Sequence, residues 1–237
     1  MSTGITYKNP PLKEVVFELF FTSSKWNSVM PGLFYSLIKE KFPIINKKNG
    51  FEFALDPNGV KIGGTNNEML QFKNSSGDTI IQLAPGLLTV NKLPQYTGWA
   101  DYLKIIKTAV DTLQSIVEIE RIDRIGLKTI NRIEIDDFTV ENFKRYFTIY
   151  TEIPFSKYTS SYQLNIEIPI IPNIEVLAIS MISQIDPSFK APILFQIYVT
   201  QIKNIVASDI YEWIEDAHNR VNEAFNNCLT DECKERY

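Results

Sequence analysis

The segment Glu118–Ile135, EIERIDRIGLKTINRIEI, places four cationic and four acidic side chains in an isoleucine-rich run that has the composition of a β-strand. Side chains alternate between the two faces of a strand, so a strand with one buried face needs only one polar face. Here the charges fall on both faces. Arg121 and Asp123 share one face with most of the isoleucines, and the opposite face carries Arg124, Lys128 and Arg132.

The cations of this strand have two interpretations. In the first, the arginines form ion pairs with acids of the same segment, each contributing roughly 0.2 to 1 kcal/mol if exposed. In the second, they bind a partner protein or a nucleic-acid backbone, because the planar guanidinium forms paired hydrogen bonds with carboxylate or phosphate. The candidate binding residues are Arg121, Arg124, Lys128, Asn131 and Arg132.

Strands and amphipathic helices alternate on both sides of this segment. Upstream, a strand at residues 14–21 precedes a helix that begins near Asn27 or Ser28 and stops before Pro43. Turn residues at 56–59, 63–64, 74–77 and 85–86 separate the short strands of an antiparallel meander, and helical spacing predicts a helix over 99–117. Downstream, the pattern predicts a helix over 139–150, strands over 158–169, 174–185 and 192–203, and a long final helix capped by Ser208.

We therefore predict an α+β fold in which long amphipathic helices pack on one face of one or two antiparallel sheets. We divide the chain into an N-terminal α+β half, residues 1–137, and a C-terminal α+β half, residues 138–237, in which the element order β-α-β-β-β-α repeats in a looser form. This shared order is typical of a diverged duplication, although the halves show no residue-level repeat. We expect the two halves to pack as one compact unit.

The composition is that of a globular protein, with 44% hydrophobic and 22% charged residues among 237. The net charge of -4 argues against a protein that coats nucleic acid by bulk electrostatics. Cys228 and Cys233 do not have the spacing of a zinc site, so we expect no metal, no cofactor and a reducing environment. The sequence contains neither a secretory signal nor a membrane-length apolar run, which predicts a cytoplasmic protein without membrane contact.

Groups for catalysis are sparse in this sequence. His218 is the single histidine, and its position between acids on a helix predicts a solvated surface imidazole. Asp136 and Asp137 could serve a metal-dependent nuclease, but adjacent acids before a helix more often cap it and complement its dipole. We therefore predict that the protein is not an enzyme.

Several stretches of the chain form recognisable motifs: YKNPPLKEVVFELFF at 7–21, Trp26, the Tyr96-x-x-Trp99 helix start, RIGLKTINRIEI at 124–135 and FNNCLTDECKERY at 225–237. Together they resemble a sporadically distributed prokaryotic family of uncharacterised function. The chain departs from the family at Lys128-Thr129, where an Arg-Tyr pair is usual. Patchily distributed families resemble mobile or defence genes, so the resemblance implies a role in genetic conflict more readily than in central metabolism. It carries over an expectation of fold, and no catalytic residues are transferred from it.

The α+β architecture with a cationic strand also resembles, more distantly, the companion subunits of short prokaryotic Argonautes. Our leading hypothesis is a non-catalytic accessory subunit of prokaryotic defence that docks on such an effector and helps to form a nucleic-acid channel. The alternative is a small-molecule receptor in which a helix covers a curved sheet above an aromatic pocket. The third hypothesis is a metal-dependent nuclease.

Overall fold

The computed structural model describes residues 7–56, 59–94, 96–152, 156, 159–184 and 191–237, apart from the side chains of 49–68 and 191. Its strands are β1 Leu12–Thr22, β2 Ile44–Asp56, β3 Gly59–Lys73, β4 Thr79–Ala84, β5 Leu87–Lys92, β6 Arg121–Ile135, β7 Gln163–Ile171, β8 Glu175–Ser183 and β9 Ala191–Gln201. Its helices are α1 Met30–Ile38, α2 Trp99–Ile116, α3 Val140–Tyr146, α4 Ile210–Cys228 and α5 Asp231–Lys234, with a 3-10 turn at Ala207–Asp209 before α4.

The strands form one antiparallel sheet with the order β2-β3-β4-β5-β1-β6-β9-β8-β7. Strands β2 to β5 are neighbours in chain order, which confirms the predicted meander. The charged strand β6 lies between β1 and β9, inside the sheet. The predicted α+β class is therefore confirmed, with a single sheet.

Two compact units make up the chain. The inserted unit is Val16–Ile125, and the terminal unit contains the described residues up to Val15 together with Gly126–Tyr237. The division thus falls within β1 and β6, whereas the sequence pattern predicts a division after Asp137. None of the described helices has both the length and the hydropathy needed to cross a membrane.

In the inserted unit, alternate residues of the meander build the core. Phe72, Ile81 and Val90 are aligned across β3, β4 and β5 and are fully buried. Helix α1 packs on this side through Phe34, whose ring centroid lies 5.6 Å from that of Phe72. Helix α2 is anchored by the Tyr102 hydroxyl, which donates a hydrogen bond of 2.6 Å to the Val90 carbonyl.

In the terminal unit, α4 packs against β9. The ring of Phe225 lies 6.0 Å from that of Phe195, which is fully buried. The apolar stripe of α4 is buried along its length, as the helical periodicity predicts. Helix α3 ends earlier than predicted, at Tyr146, because Phe147 adopts an extended conformation and forms a β-bridge with Leu229.

Two local predictions are wrong. Gly63-Gly64 lies within β3, beside a register shift with β2 at Asn49/Phe51, so the glycines accompany a β-bulge and not a turn. Ser208 does not cap α4, because the 3-10 turn displaces the helix start to Ile210 and the Ser208 hydroxyl donates to Asp209. The predicted turn residues 57–58 and the predicted strand ends at 158 and 185 lie outside the described residues.

Candidate binding surface on strand β6

Strand β6 carries all five candidate binding residues. Arg121 and Arg124 belong to the inserted unit, and Lys128, Asn131 and Arg132 belong to the terminal unit. The predicted alternation is observed, because Leu127 and Ile133 are buried while the flanking Lys128 and Arg132 are partly exposed.

Lys128 lies on the side of the terminal unit's sheet that faces away from α4. On β9, the residues at 193, 195, 197 and 199 face α4 and are fully buried, whereas alternate residues such as Tyr198 are half-buried. The Lys128 ammonium lies 4.8 Å from the centre of the Tyr198 ring, in a cation–π contact. An ammonium group is therefore held on the less covered face of this sheet.

Arg132 follows Lys128 on the same side of β6 and has an acid beside it. Its Nε lies 2.7 Å from the Glu134 carboxylate, with 28% of the arginine and 35% of the glutamate side chain exposed. This contact agrees with the ion-pair interpretation of the strand. An ion pair with this exposure contributes about 1 kcal/mol or less to the stability of the fold. An external carboxylate or phosphate can therefore compete with Glu134 for the guanidinium.

Asn131 is on the opposite side of the strand and is buried. Its side-chain amide donates a hydrogen bond of 3.3 Å to the Phe195 carbonyl, which ties β6 to β9. This residue satisfies a buried backbone acceptor and does not join Lys128 and Arg132 on the half-exposed face.

In the inserted unit, Arg121 belongs to a closed set of polar contacts. Its Nε lies 2.6 Å from Asp123, and an Nη donates to the Thr22 hydroxyl at 3.2 Å. The same hydroxyl donates to Asp123 at 2.7 Å. Burial alone would raise the pKa of the Asp123 carboxyl, but these hydrogen bonds outweigh burial and lower it. Arg121 is therefore compensated by its own strand.

Arg124 has a different environment within the inserted unit. Its guanidinium carbon lies 3.8 Å from the centre of the Phe20 ring. Its Nε is buried and has no hydrogen-bond partner among the described residues. Stacking on an aromatic face is a common arrangement for arginine, since its guanidinium is planar and weakly hydrated.

Gly126 is required where Tyr198 crosses β6. A Cβ atom at this position would lie 2.5 Å from the Tyr198 hydroxyl oxygen and 2.6 Å from a ring carbon. A glycine inside a strand sequence indicates either a bulge or a close approach of another group, and the structure shows the close approach. The tyrosine ring covers the bare backbone of a strand glycine and at the same time contacts Lys128.

We expect Gly126→Ala to lower the free energy of unfolding by about 1 to 2 kcal/mol, because the added methyl group displaces the Tyr198 ring. In a Tyr198→Ala background the same change should be neutral or stabilising, since alanine restricts the unfolded chain more than glycine does. Urea denaturation of the four proteins in this cycle measures the coupling. Equal effects of Gly126→Ala in both backgrounds would contradict the steric explanation.

Two buried charges were missed by sequence reasoning. In the terminal unit, the buried Glu175 carboxylate accepts hydrogen bonds from Trp213 at 2.9 Å and from Arg220 at 2.6 Å. In the inserted unit, the buried Lys92 ammonium lies 2.9 Å from Asp78. In the sequence, each of these two residues stands at the end of an apolar strand. A charge in that position is equally typical of a strand end that is exposed to solvent, so the sequence does not predict burial.

His218 is not the solvated surface imidazole that the sequence predicts. Its side chain is half-buried on α4, and its Nε2 lies 3.0 Å from the Asn222 side-chain nitrogen. Burial lowers the pKa of the imidazole to about 4, although the nearby Glu215 carboxylate acts in the opposite direction. The prediction fails because the exposure of a helical residue depends on the groups that pack against it in the folded chain. Charged neighbours in the sequence do not determine it.

This imidazole predicts a pH dependence of stability. Since its folded pKa of about 4 lies below its ordinary value of 6.5, the unfolded chain takes up the proton first. The stabilisation of the fold by the neutral imidazole is therefore fully present above pH 6.5 and is lost as the pH falls toward 4. The loss in the free energy of unfolding is at most about 3 kcal/mol before solvent screening. We expect His218→Gln to flatten this slope in urea denaturations at pH 7, 5.5 and 4.5. An unchanged slope would assign the pH dependence to other groups.

The acids and thiols have structural roles. Asp137 accepts hydrogen bonds from the Thr139 backbone at 3.0 Å and from the Asn142 side chain at 2.7 Å, in agreement with the predicted role at the start of α3. Cys228 and Cys233 are buried, and burial raises the pKa of both thiols to about 11. Among the described residues, no three histidine, cysteine or acidic side chains are grouped so as to hold a metal ion.

Comparison with known proteins adds no identification. No protein-family model matches the chain, and no curated protein is significantly similar to it.

Proposed function

We propose that this protein is a non-catalytic accessory subunit that docks on a larger effector of prokaryotic defence, such as a short Argonaute, and helps to form its nucleic-acid channel. The observation that carries the proposal is the position of Lys128 and Arg132 on the half-exposed side of β6 in the terminal unit. A strand inside a sheet holds such side chains at fixed spacing. A partner surface can therefore bind them without first ordering a flexible loop.

The local chemistry is compatible with an anionic partner surface. Tyr198 fixes the Lys128 ammonium through a ring contact, and Glu134 holds the Arg132 guanidinium in place. A carboxylate or phosphate from a partner would exchange with these weak intramolecular contacts, gaining charge-assisted hydrogen bonds.

The test is recovery of the native complex from cells that express the protein at its natural level. We expect a stoichiometric partner to copurify with the natural sequence and to be lost from a Lys128→Gln/Arg132→Gln variant. Lys203→Gln is the matched control, because Lys203 is an exposed lysine of the same unit just beyond β9. Mass spectrometry identifies the partner, and fluorescence anisotropy with single-stranded and duplex oligonucleotides then tests whether the complex binds nucleic acid.

Recovery of the natural sequence as a monomer without a partner would contradict the proposal. Equal retention of the partner by the double variant and by the Lys203→Gln control would instead show that docking uses a different surface. Thermal unfolding of each variant separates loss of binding from loss of fold.

A further inference from the structure

The inserted unit contains a groove whose charged lining is entirely cationic among the described residues. It lies between the chain just beyond α1, the turn that joins β3 to β4, and one side of α2, and its volume is about 240 Å³. The residues that line it are Lys41, Phe42, Asn74, Thr79, Lys104, Ile105 and Thr108.

The two lysines of the groove can be recruited by an added anion. Lys104 lies 3.2 Å from Asp101, but with 75% and 55% of these side chains exposed the pair contributes little to stability. In the described part of the chain, no carboxylate pairs with Lys41, which is also exposed. Two ammonium groups therefore border one groove without a buried or strongly held counter-ion.

The polar floor of the groove does not cancel this charge. Asn74 and Thr79 donate hydrogen bonds to the Asp78 carboxylate at 2.7 Å and 2.9 Å. The charge of Asp78 is in turn balanced by the Lys92 ammonium, 2.9 Å away. Asp78 is thus paired with Lys92 and does not offset the charge of the two lysines in the groove lining.

The other walls favour binding over simple solvation of the lysines. Phe42 is buried and Ile105 is half-buried, so part of the groove lining is apolar. Apolar walls lower the local dielectric response and strengthen the attraction between an ammonium group and a bound anion. The Thr108 hydroxyl, which now donates to the Lys104 carbonyl at 2.9 Å, provides a further hydrogen-bonding group at the rim.

We propose that this groove binds a small anion through a phosphate or carboxylate group held between Lys41 and Lys104. Its volume of about 240 Å³ is smaller than that of typical sites for drug-sized ligands, roughly 300 to 1,000 Å³. The groove therefore suits a single anionic group on a small molecule and does not enclose a nucleotide. This inference is independent of the proposed docking surface, which uses terminal-unit residues.

The test is an NMR titration of the full-length protein at low ionic strength, with inorganic phosphate in one series and succinate in the other. We expect saturable shifts of Thr108 and Phe42 amides and at least a tenfold loss of affinity in Lys41→Met/Lys104→Met. The matched control is Lys39→Met/Lys107→Met, which removes two exposed lysines from the same two regions outside the groove lining. The control should bind as the natural sequence does.

Tighter binding of phosphate would support a phosphorylated ligand, and tighter binding of succinate would support a carboxylate ligand. Linear shifts in both series, or equal affinity in the groove variant and its control, would overturn the inference. Because Lys41 and Lys104 are exposed, both variants should keep the unfolding midpoint of the natural sequence. If the double variant unfolds, the Lys41→Met and Lys104→Met single variants provide the same comparison.

Discussion

Replacement of Asp78 by asparagine is expected to lower the free energy of unfolding by about 3 kcal/mol, the largest single effect that we predict. The reason is the Lys92 ammonium, which has only 8% of its side chain exposed and faces Asp78, itself 16% exposed. Removing the carboxylate charge leaves a buried cation without its counter-ion. The Thr79 hydroxyl, 3.3 Å from Lys92, cannot replace that charge.

Urea denaturation measures this loss, and two further variants test its cause. Asp101→Asn removes an acid from the exposed pair with Lys104 and should cost less than about 1 kcal/mol. Asp78→Asn/Lys92→Met removes both buried charges and should be more stable than Asp78→Asn alone. If Asp78→Asn lowers the free energy of unfolding no more than Asp101→Asn does, solvent must reach Lys92.

The same carboxylate should contribute to acid unfolding. Burial would raise the pKa of Asp78, but hydrogen bonds from Lys92, Asn74 and Thr79 outweigh burial and lower it from 3.8 to about 2. Because the folded pKa is below the unfolded value, the stabilisation is present above pH 3.8 and is lost as the pH falls toward 2. The loss is at most about 2 kcal/mol before solvent screening, and it occurs at lower pH than the titration of His218.

Replacement of Arg220 by methionine should lower the free energy of unfolding by about 2 to 3 kcal/mol. Glu175 has 4% of its side chain exposed, and Arg220, with 34% exposed, covers it from α4. Without the guanidinium, the hydrogen bond from Trp213 is the only one that the described residues still donate to the buried carboxylate. Methionine preserves much of the apolar stem, so the loss reports chiefly on the charge.

A double-mutant cycle with Glu175→Leu distinguishes the pair from ordinary packing. We expect Glu175→Leu/Arg220→Met to be more stable than Arg220→Met alone, because no buried charge then remains. Arg145→Met is the matched control, since Arg145 pairs with Asp136 and Glu232 on the surface and should contribute less than about 1 kcal/mol. If the effects of the two substitutions on the free energy of unfolding are additive, the explanation by a coupled charge pair is wrong.

Part of the candidate surface was predictable from local pattern. The alternation of β6 placed Lys128 and Arg132 on one side and Asn131 on the other, because successive side chains of any strand point in opposite directions. The same alternation also places Glu134, two residues further on, beside Arg132. The pattern could not predict that Tyr198 covers Gly126, because that contact depends on the register between β6 and β9.

The amino-acid sequence by itself determined the α+β class, the antiparallel meander and the long helices α2 and α4, because dihedral preference and apolar periodicity act over a few residues. Only the tertiary structure decided which charges are buried. Glu175 and Arg220 are 45 positions apart, and the partner of Lys92 is set by the register of β4 on β5. The exposure of a charge depends on which distant segments pack around it, and local sequence pattern does not contain that information.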